Sequence, residues 1–220
     1  MWLTANDLSA RRLTVSRTLV SLLLGLVVSG VTPAYAQGTP GPGKAELTIV
    51  PVGWVSVAKP DTGSEPAFSQ FLLGGTMTVN WSMVAIEAEL MLAPGRSQNL
   101  AYGSVSRSQT TPKVVIDSVN LVVPLMGNNH TTVPYVSAGI GEVTIMRTPD
   151  NVEQPDSETF TAGDFGGGVK WYGAGRWGVR GDYRFTIVRS KEKSPGTFFG
   201  DERRNVHRVY GAIVFKLLAR

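Results

Sequence analysis

The 220 residues are enough for one domain with a sizeable buried surface, and 25 glycines with 13 prolines are more than helix interiors tolerate, so many short strands joined by turns are expected. Only 17% of residues are charged, and the formal charge of +4 falls to +2 once a leader carrying Arg11, Arg12, Arg17 and Asp7 is removed. With Lys and Arg not gathered on one face, that excludes a nucleic-acid surface, and the lack of cysteine excludes both a disulfide framework and a thiolate metal site.

Residues 1–36 read as a signal peptide. The basic residues Arg11, Arg12 and Arg17 precede an apolar run from Leu19 to Val31, and Ala34-Tyr35-Ala36 matches the small-x-small cleavage pattern, placing the cut after Ala36. The apolar run falls short of the ~20 residues that a helix needs to cross a bilayer. Arg11-Arg12 alone does not make a twin-arginine export signal, so general secretion is expected. Residues 37–44 (QGTPGPGK) read as a flexible tether, and 45–220 as the folded domain.

After the leader no stretch sustains helical periodicity. Eight segments of alternating or small-residue-rich pattern are predicted as strands: 45–58, 69–80, 83–94, 113–126, 133–146, 159–173, 176–189 and 207–218. A tilted strand crosses a bilayer core in ~9–11 residues, a length each segment reaches. The connections run long (59–68), short (81–82), long (95–112), middling (127–132), long (147–158), very short (174–175) and long (190–206). That alternation predicts an all-β, eight-stranded antiparallel up-and-down transmembrane barrel, with tight turns at one end and extended loops at the other. A Greek-key sandwich gives no such alternation.

The long connections have loop composition. Segment 95–112 is rich in Gly, Ser and Thr, 147–158 holds two prolines and four acids, and 190–206 is charged around Phe198-Phe199. Phe198 and Phe199, with Arg203 and Arg204 beside them, are the candidates for contact with lipopolysaccharide or an extracellular ligand, the rival being that the pair packs on its own loop stem.

Strand period two then sorts the faces. Trp177, Val179, Tyr183, Phe185 and Ile187 oppose Arg180, Asp182 and Arg184; Ile86, Ala88, Leu90 and Leu92 oppose Glu87 and Glu89. Phe165, Val169 and Trp171 oppose Asp164 and Lys170, and Val209, Gly211, Ile213, Phe215 and Leu217 oppose Arg208, Tyr210 and Lys216. Alternation alone fits a soluble lipocalin-like carrier too, but the leader, the long strands, the alternating loops and Trp54, Trp81, Trp171 and Trp177 near segment ends favour apolar side chains facing lipid. Glu87, Glu89, Lys170, Arg180, Asp182, Arg184 and Arg208 then form a lumen charge cluster, read either as a salt-bridged plug or as the lining of a narrow solute path; eight strands leave little free width, which favours the plug. Segments 45–58 and 113–126 are apolar on both faces over Val50–Val55 and Val114–Ile116, so their facing is left open, with a greasy stretch of lumen as one reading.

Four stretches carry a resemblance: Pro134 to Gly141, Phe165-Gly166-Gly167-Gly168-Val169-Lys170, Trp177 to Arg184, and the closing Val209 to Phe215. In this order and spacing the chain resembles the small eight-stranded outer-membrane barrels: the transmembrane domain of outer membrane protein A, the X-type barrels and the opacity-type porin-like barrels. The resemblance implies an integral protein of the bacterial outer membrane, in contact with lipid and lipopolysaccharide and inserted by the barrel assembly machinery. Members commonly finish on an aromatic residue, whereas here Phe215 is followed by five more, and no peptidoglycan-binding domain is expected after the barrel.

The expected role is structural or surface-interacting, with a narrow ion or solute channel as the alternative. A lipid A-modifying enzyme is a third reading: deacylases of this kind pair a His with a Ser two residues on, but the residue so placed from His207 is Val209. His130 falls in a predicted turn, and the acids Asp150, Glu153, Asp156 and Glu158 lack calcium-loop spacing. Gly166-Gly167-Gly168 is followed by no helix and reads as wall glycine rather than a phosphate loop. No catalytic residue, metal or cofactor is expected.

Overall fold

The computed structural model describes residues 41–58, 66–102, 104–127, 130–146, 157–189 and 204–218. The chain divides into two units, 1–36 and 37–220, and every described residue belongs to the second. The signal peptide, residues 37–40 of the tether, and Phe198, Phe199 and Arg203 lie outside the described residues.

Eight strands close into an antiparallel barrel: β1 (Ala45–Val57), β2 (Phe68–Asn80), β3 (Ala85–Ala93), β6 (Lys113–Pro124), β7 (Thr132–Met146), β8 (Ser157–Tyr172), β9 (Trp177–Arg189) and β10 (Arg204–Leu218). Each pairs with its neighbour in the wall, and β1 pairs with β10 to seal it, so no wall strand has an unpaired edge. The predicted strands are these eight, with ends moved by at most three residues. The connections at 81–84, 125–131 and 173–176 are short and all join strands at one end of the barrel, the tight-turn end expected of an up-and-down barrel.

The segment 95–112 corrects the loop reading. It folds as a two-stranded hairpin, β4 (Ser97–Tyr102) against β5 (Val105–Thr110), paired in register from Ser97 with Thr110 to Tyr102 with Val105. Residues 41–44 of the expected tether are fixed to the barrel. Gly41, Pro42 and Gly43 are buried, Lys44 donates its N–H to Leu218 O at 2.8 Å, and Asn80 Nδ2 donates to Gly43 O at 2.9 Å, fixing 41–44 to the barrel rim.

The facing of β1 turns on a bulge. Glu46, Thr48 and Val50 point inward, the register then slips between Val50 and Gly53, and Val55 and Val57 point inward after it. One extra residue switches the parity, which is why this strand reads as apolar on both faces. Pro51 sits in the bulge, where its missing N–H interrupts no regular ladder. In β6, Val114 and Ile116 are inside and Val115 is half exposed outside.

The outer wall carries an apolar belt. Leu47, Ile49, Phe71, Leu90, Leu121, Val136, Ile140, Phe165, Val179 and Ile213 are exposed, Ile140 to 75%. At the short-turn end Trp171 and Trp177 meet edge to face at 6.2 Å, with Trp81 also exposed; near the other end Trp54 packs edge-on to Phe71 at 5.3 Å. Aromatics at both rims of an apolar band mark the two interfaces of a bilayer-spanning barrel.

Candidate functional site: the lumen and its mouth

Strand alternation delivers four carboxylates and three guanidiniums into one cross-section. Glu87 and Glu89 come from β3, Asp164 from β8, Arg180, Asp182 and Arg184 from β9, and Arg208 from β10, all buried. Glu87 is the hub. It accepts from Arg180 Nη1 at 2.5 Å and Nη2 at 3.0 Å, from Arg184 Nη2 at 2.7 Å, and from the hydroxyls of Thr78 at 2.9 Å and Thr76 at 3.3 Å.

Asp182 lies between two arginines of its own strand, accepting from Arg180 Nε at 2.9 Å and Arg184 Nε at 2.8 Å. Successive inward residues of one strand thereby alternate in charge, so each guanidinium has a carboxylate beside it before any other strand contributes. Arg208 bridges the next layer, donating to Glu89 Oε1 and, at 2.7 Å, to Asp164 Oδ2. Tyrosines complete the set: Tyr135 donates to Asp182 and accepts from Arg180 Nε at 2.6 Å, and Tyr210 donates to Glu89 at 3.1 Å. Charges removed from water persist only when paired and hydrogen-bonded in this way.

Lys170 belongs to a separate layer nearer the short-turn end. Its Nζ donates to Glu46 Oε2 at 2.7 Å, while Tyr172 OH at 2.8 Å and Gly43 N at 3.2 Å donate to Glu46 Oε1. The structure thus places all seven lumen residues named from sequence inside the barrel, six in the central network and one in this end layer. Sequence reasoning left Glu46, Asp164, Tyr135, Tyr172 and Tyr210 out of the cluster. The signal for Glu46 was present in Glu46-Leu47-Thr48-Ile49, two polar residues alternating with two apolar ones ahead of the bulge.

Small residues in the wall make room for this filling. A methyl group on Gly168 would lie 2.6 Å from the Tyr135 hydroxyl and 3.0 Å from its ring Cζ, so the phenol reaches Asp182 only because that position is bare.

Beyond Arg208 the lumen becomes mostly apolar, with Gln70, Thr111 and Arg204 as buried polar side chains among the aliphatic ones. Val55, Val57, Phe68, Leu72, Met91, Ala93, Val114, Ile116, Val143, Ile145, Phe160, Ala162, Val188 and Val206 form one buried cluster, which includes Leu100 of the β4 strand, 1% exposed. Arg204 corrects an expectation here. Rather than standing in a surface loop, it opens β10, which begins three residues earlier than predicted, and its side chain is buried. His207 faces outward, its Nδ1 2.8 Å from the Tyr183 hydroxyl, and His130 is exposed in the 125–131 turn. Among the described residues no group of three or more His, Asp or Glu is arranged to hold a metal.

The model of the outer membrane protein beta-barrel domain matches residues 20–205. The fold is shared with solved structures. Neisserial surface protein A aligns with a TM-score of 0.54 at 9% identity, over 79% of this chain and 97% of its own. The outer membrane protein OprG from Pseudomonas aeruginosa aligns with a TM-score of 0.51 at 14% identity, over 83% and 99%. At these identities the likeness is one of fold alone. Comparison with curated protein sequences finds no match.

Proposed function

We propose a structural and surface-interacting role for this chain, which belongs to the outer membrane protein beta-barrel domain family: it is an integral outer-membrane barrel with a sealed lumen and its variable chemistry in the long loops. The observation that carries this reading is the central network. Arg180, Arg184 and Arg208 are each held by at least two carboxylates, with no measurable exposure of their side chains. Opening an ion path there means separating paired charges in a low-dielectric interior, which costs several kcal/mol per ion. The barrel is read as non-enzymatic. Lipopolysaccharide around the belt, the assembly machinery during insertion, and an extracellular ligand at the long loops are its proposed partners. Export by residues 1–36 with cleavage after Ala36 completes the proposal, and the mature protein isolated from membranes should begin at Gln37.

The competing reading is a narrow channel. It draws on buried polar atoms with no hydrogen-bond partner within the protein: Thr48 Oγ1, Asn120 Oδ1, Ser137 Oγ and Lys216 Nζ, where water would stand in a conducting lumen. Purified protein in planar bilayers separates the two. A sealed barrel stays silent at high protein concentration, and steady unitary conductance would establish the channel instead.

A further inference from the structure

The β4–β5 hairpin has no ladder to the barrel wall. Its strands pair with each other, so displacing it breaks no wall pairing. What holds it is a set of side-chain contacts at the mouth. Gln98 Nε2 donates to Ser69 O at 3.1 Å, and the Gln98 amide oxygen accepts from Ser69 N at 3.5 Å.

Gln70, fully buried on the inner face of β2, reaches across to the hairpin's base. Its Nε2 donates to Pro112 O at 3.2 Å and Ala93 O at 3.4 Å, and its Oε1 lies 2.7 Å from the Thr111 hydroxyl. The two stems are tied by Thr111 N donating to Arg96 O at 3.0 Å and Arg96 N to Thr111 Oγ1 at 3.1 Å.

Above these bonds sits one apolar anchor. Leu100 is buried with lumen-facing residues, Tyr102 packs against the same cluster with its hydroxyl donating to Gln109 at 2.7 Å, and Arg96 lies over Trp54 at 5.9 Å. The remaining hairpin face, Val105 to Ser108, is exposed.

We propose that this hairpin is a lid: it closes the extracellular mouth by seating Leu100 in the apolar outer half of the lumen, and it opens as a unit while the barrel stays folded. The inference extends the sealed-lumen reading to a second closure of different chemistry. The Arg–Glu–Asp layer stops ions, whereas the lid controls access to the apolar vestibule above it. Segments with few buried contacts and no shared ladder open at low free energy independently of the rest, and one fully buried leucine, with Tyr102 partly buried beside it, is a removable anchor.

The absence of cysteine makes the test direct. Ala93, fully buried at the top of β3, is replaced by cysteine, and its reaction with a membrane-impermeant maleimide is timed in reconstituted protein. With the native hairpin, A93C reacts at least tenfold more slowly than S106C on the exposed face, and adding Leu100→Asp brings the two rates together. Equal rates at A93C and S106C with Leu100 intact, or an unchanged slow A93C rate once Leu100 is Asp in a barrel that still shows heat-modifiable mobility, would overturn the lid. If L100D fails to fold, Gln98→Ala, which removes only the tie to Ser69, must raise the A93C rate, and no acceleration would count equally against it. Conductance separates this from the reading beneath it: an L100D barrel that labels fast and stays silent keeps both closures, while one that conducts keeps the lid and removes the ion seal.

Discussion

Replacing Glu87 with glutamine tests the network where its connections converge. The substitution preserves shape and volume but removes a charge that five donor contacts address, three of them from Arg180 and Arg184. It also turns an amide N–H₂ toward a guanidinium, donor against donor. Removing one member of a buried ion pair leaves the other uncompensated, at a cost of about 3–5 kcal/mol. The double variant Glu87→Met with Arg180→Met removes both charges of the two-pronged Arg180–Glu87 pair, and replacing a buried pair by apolar side chains of similar size is close to neutral. Arg184 still keeps Asp182 at 2.8 Å in that background. The assay is reversible urea unfolding in lipid vesicles, followed by the folded gel form. Glu87→Gln is expected to lose several kcal/mol and the double variant to regain most of it. If Glu87→Gln costs less than about 1 kcal/mol, the range of a solvent-exposed pair, the lumen is hydrated and its charges are screened, and the sealed-lumen reasoning fails.

Three further substitutions probe the inner and outer faces of the wall. Gly168→Ala places a methyl group against the backbone carbonyl of Gly181 and the Tyr135 phenol and should destabilise the barrel by about 1–3 kcal/mol through overpacking, whereas Gly181→Ala, with no atom within 4 Å of its new methyl, should leave the unfolding midpoint unchanged. Ile140→Arg on the exposed belt should cost about 2–4 kcal/mol of stability in a bilayer if that position lies near the midplane, measured by the same unfolding assay. On a soluble barrel the same arginine would stand in water at little cost.

The strands were legible because a lipid-facing wall imposes strict alternation, and the charges within it could point only inward. Ile86-Glu87-Ala88-Glu89-Leu90 and Val179-Arg180-Gly181-Asp182-Tyr183 state that rule without help from tertiary structure. It was obscured where the lumen itself turns apolar, in Val50 to Val55 and Val114 to Ile116, since both faces then carry the same residue types, and in β1 the bulge at Pro51 also switches the parity.

The hairpin was missed because Ser, Gln and Thr give it a loop's composition. Its one interior-directed aliphatic, Leu100, has meaning only against a mouth assembled from distant strands. Arg204 was misplaced for the converse reason: a charge beside a charged loop reads as solvated, and nothing local reveals that β10 has already begun. Tyr210 sorts onto the inner face with Arg208 but was left out of the charge cluster because it carries no charge, and Tyr135 escaped because a phenol counts as apolar in the pattern and as polar in the lumen.

The most direct measurement concerns which face meets hydrocarbon. In the cysteine-free background, single cysteines at Ile140, Phe165 and Val179 on one face and at Ser137, Asp164 and Arg180 on the other are challenged with a thiol reagent confined to the bilayer core. Reaction at the first three and protection of the second three is the expected outcome. The reverse pattern would turn the barrel inside out and dissolve both the plug and its membrane.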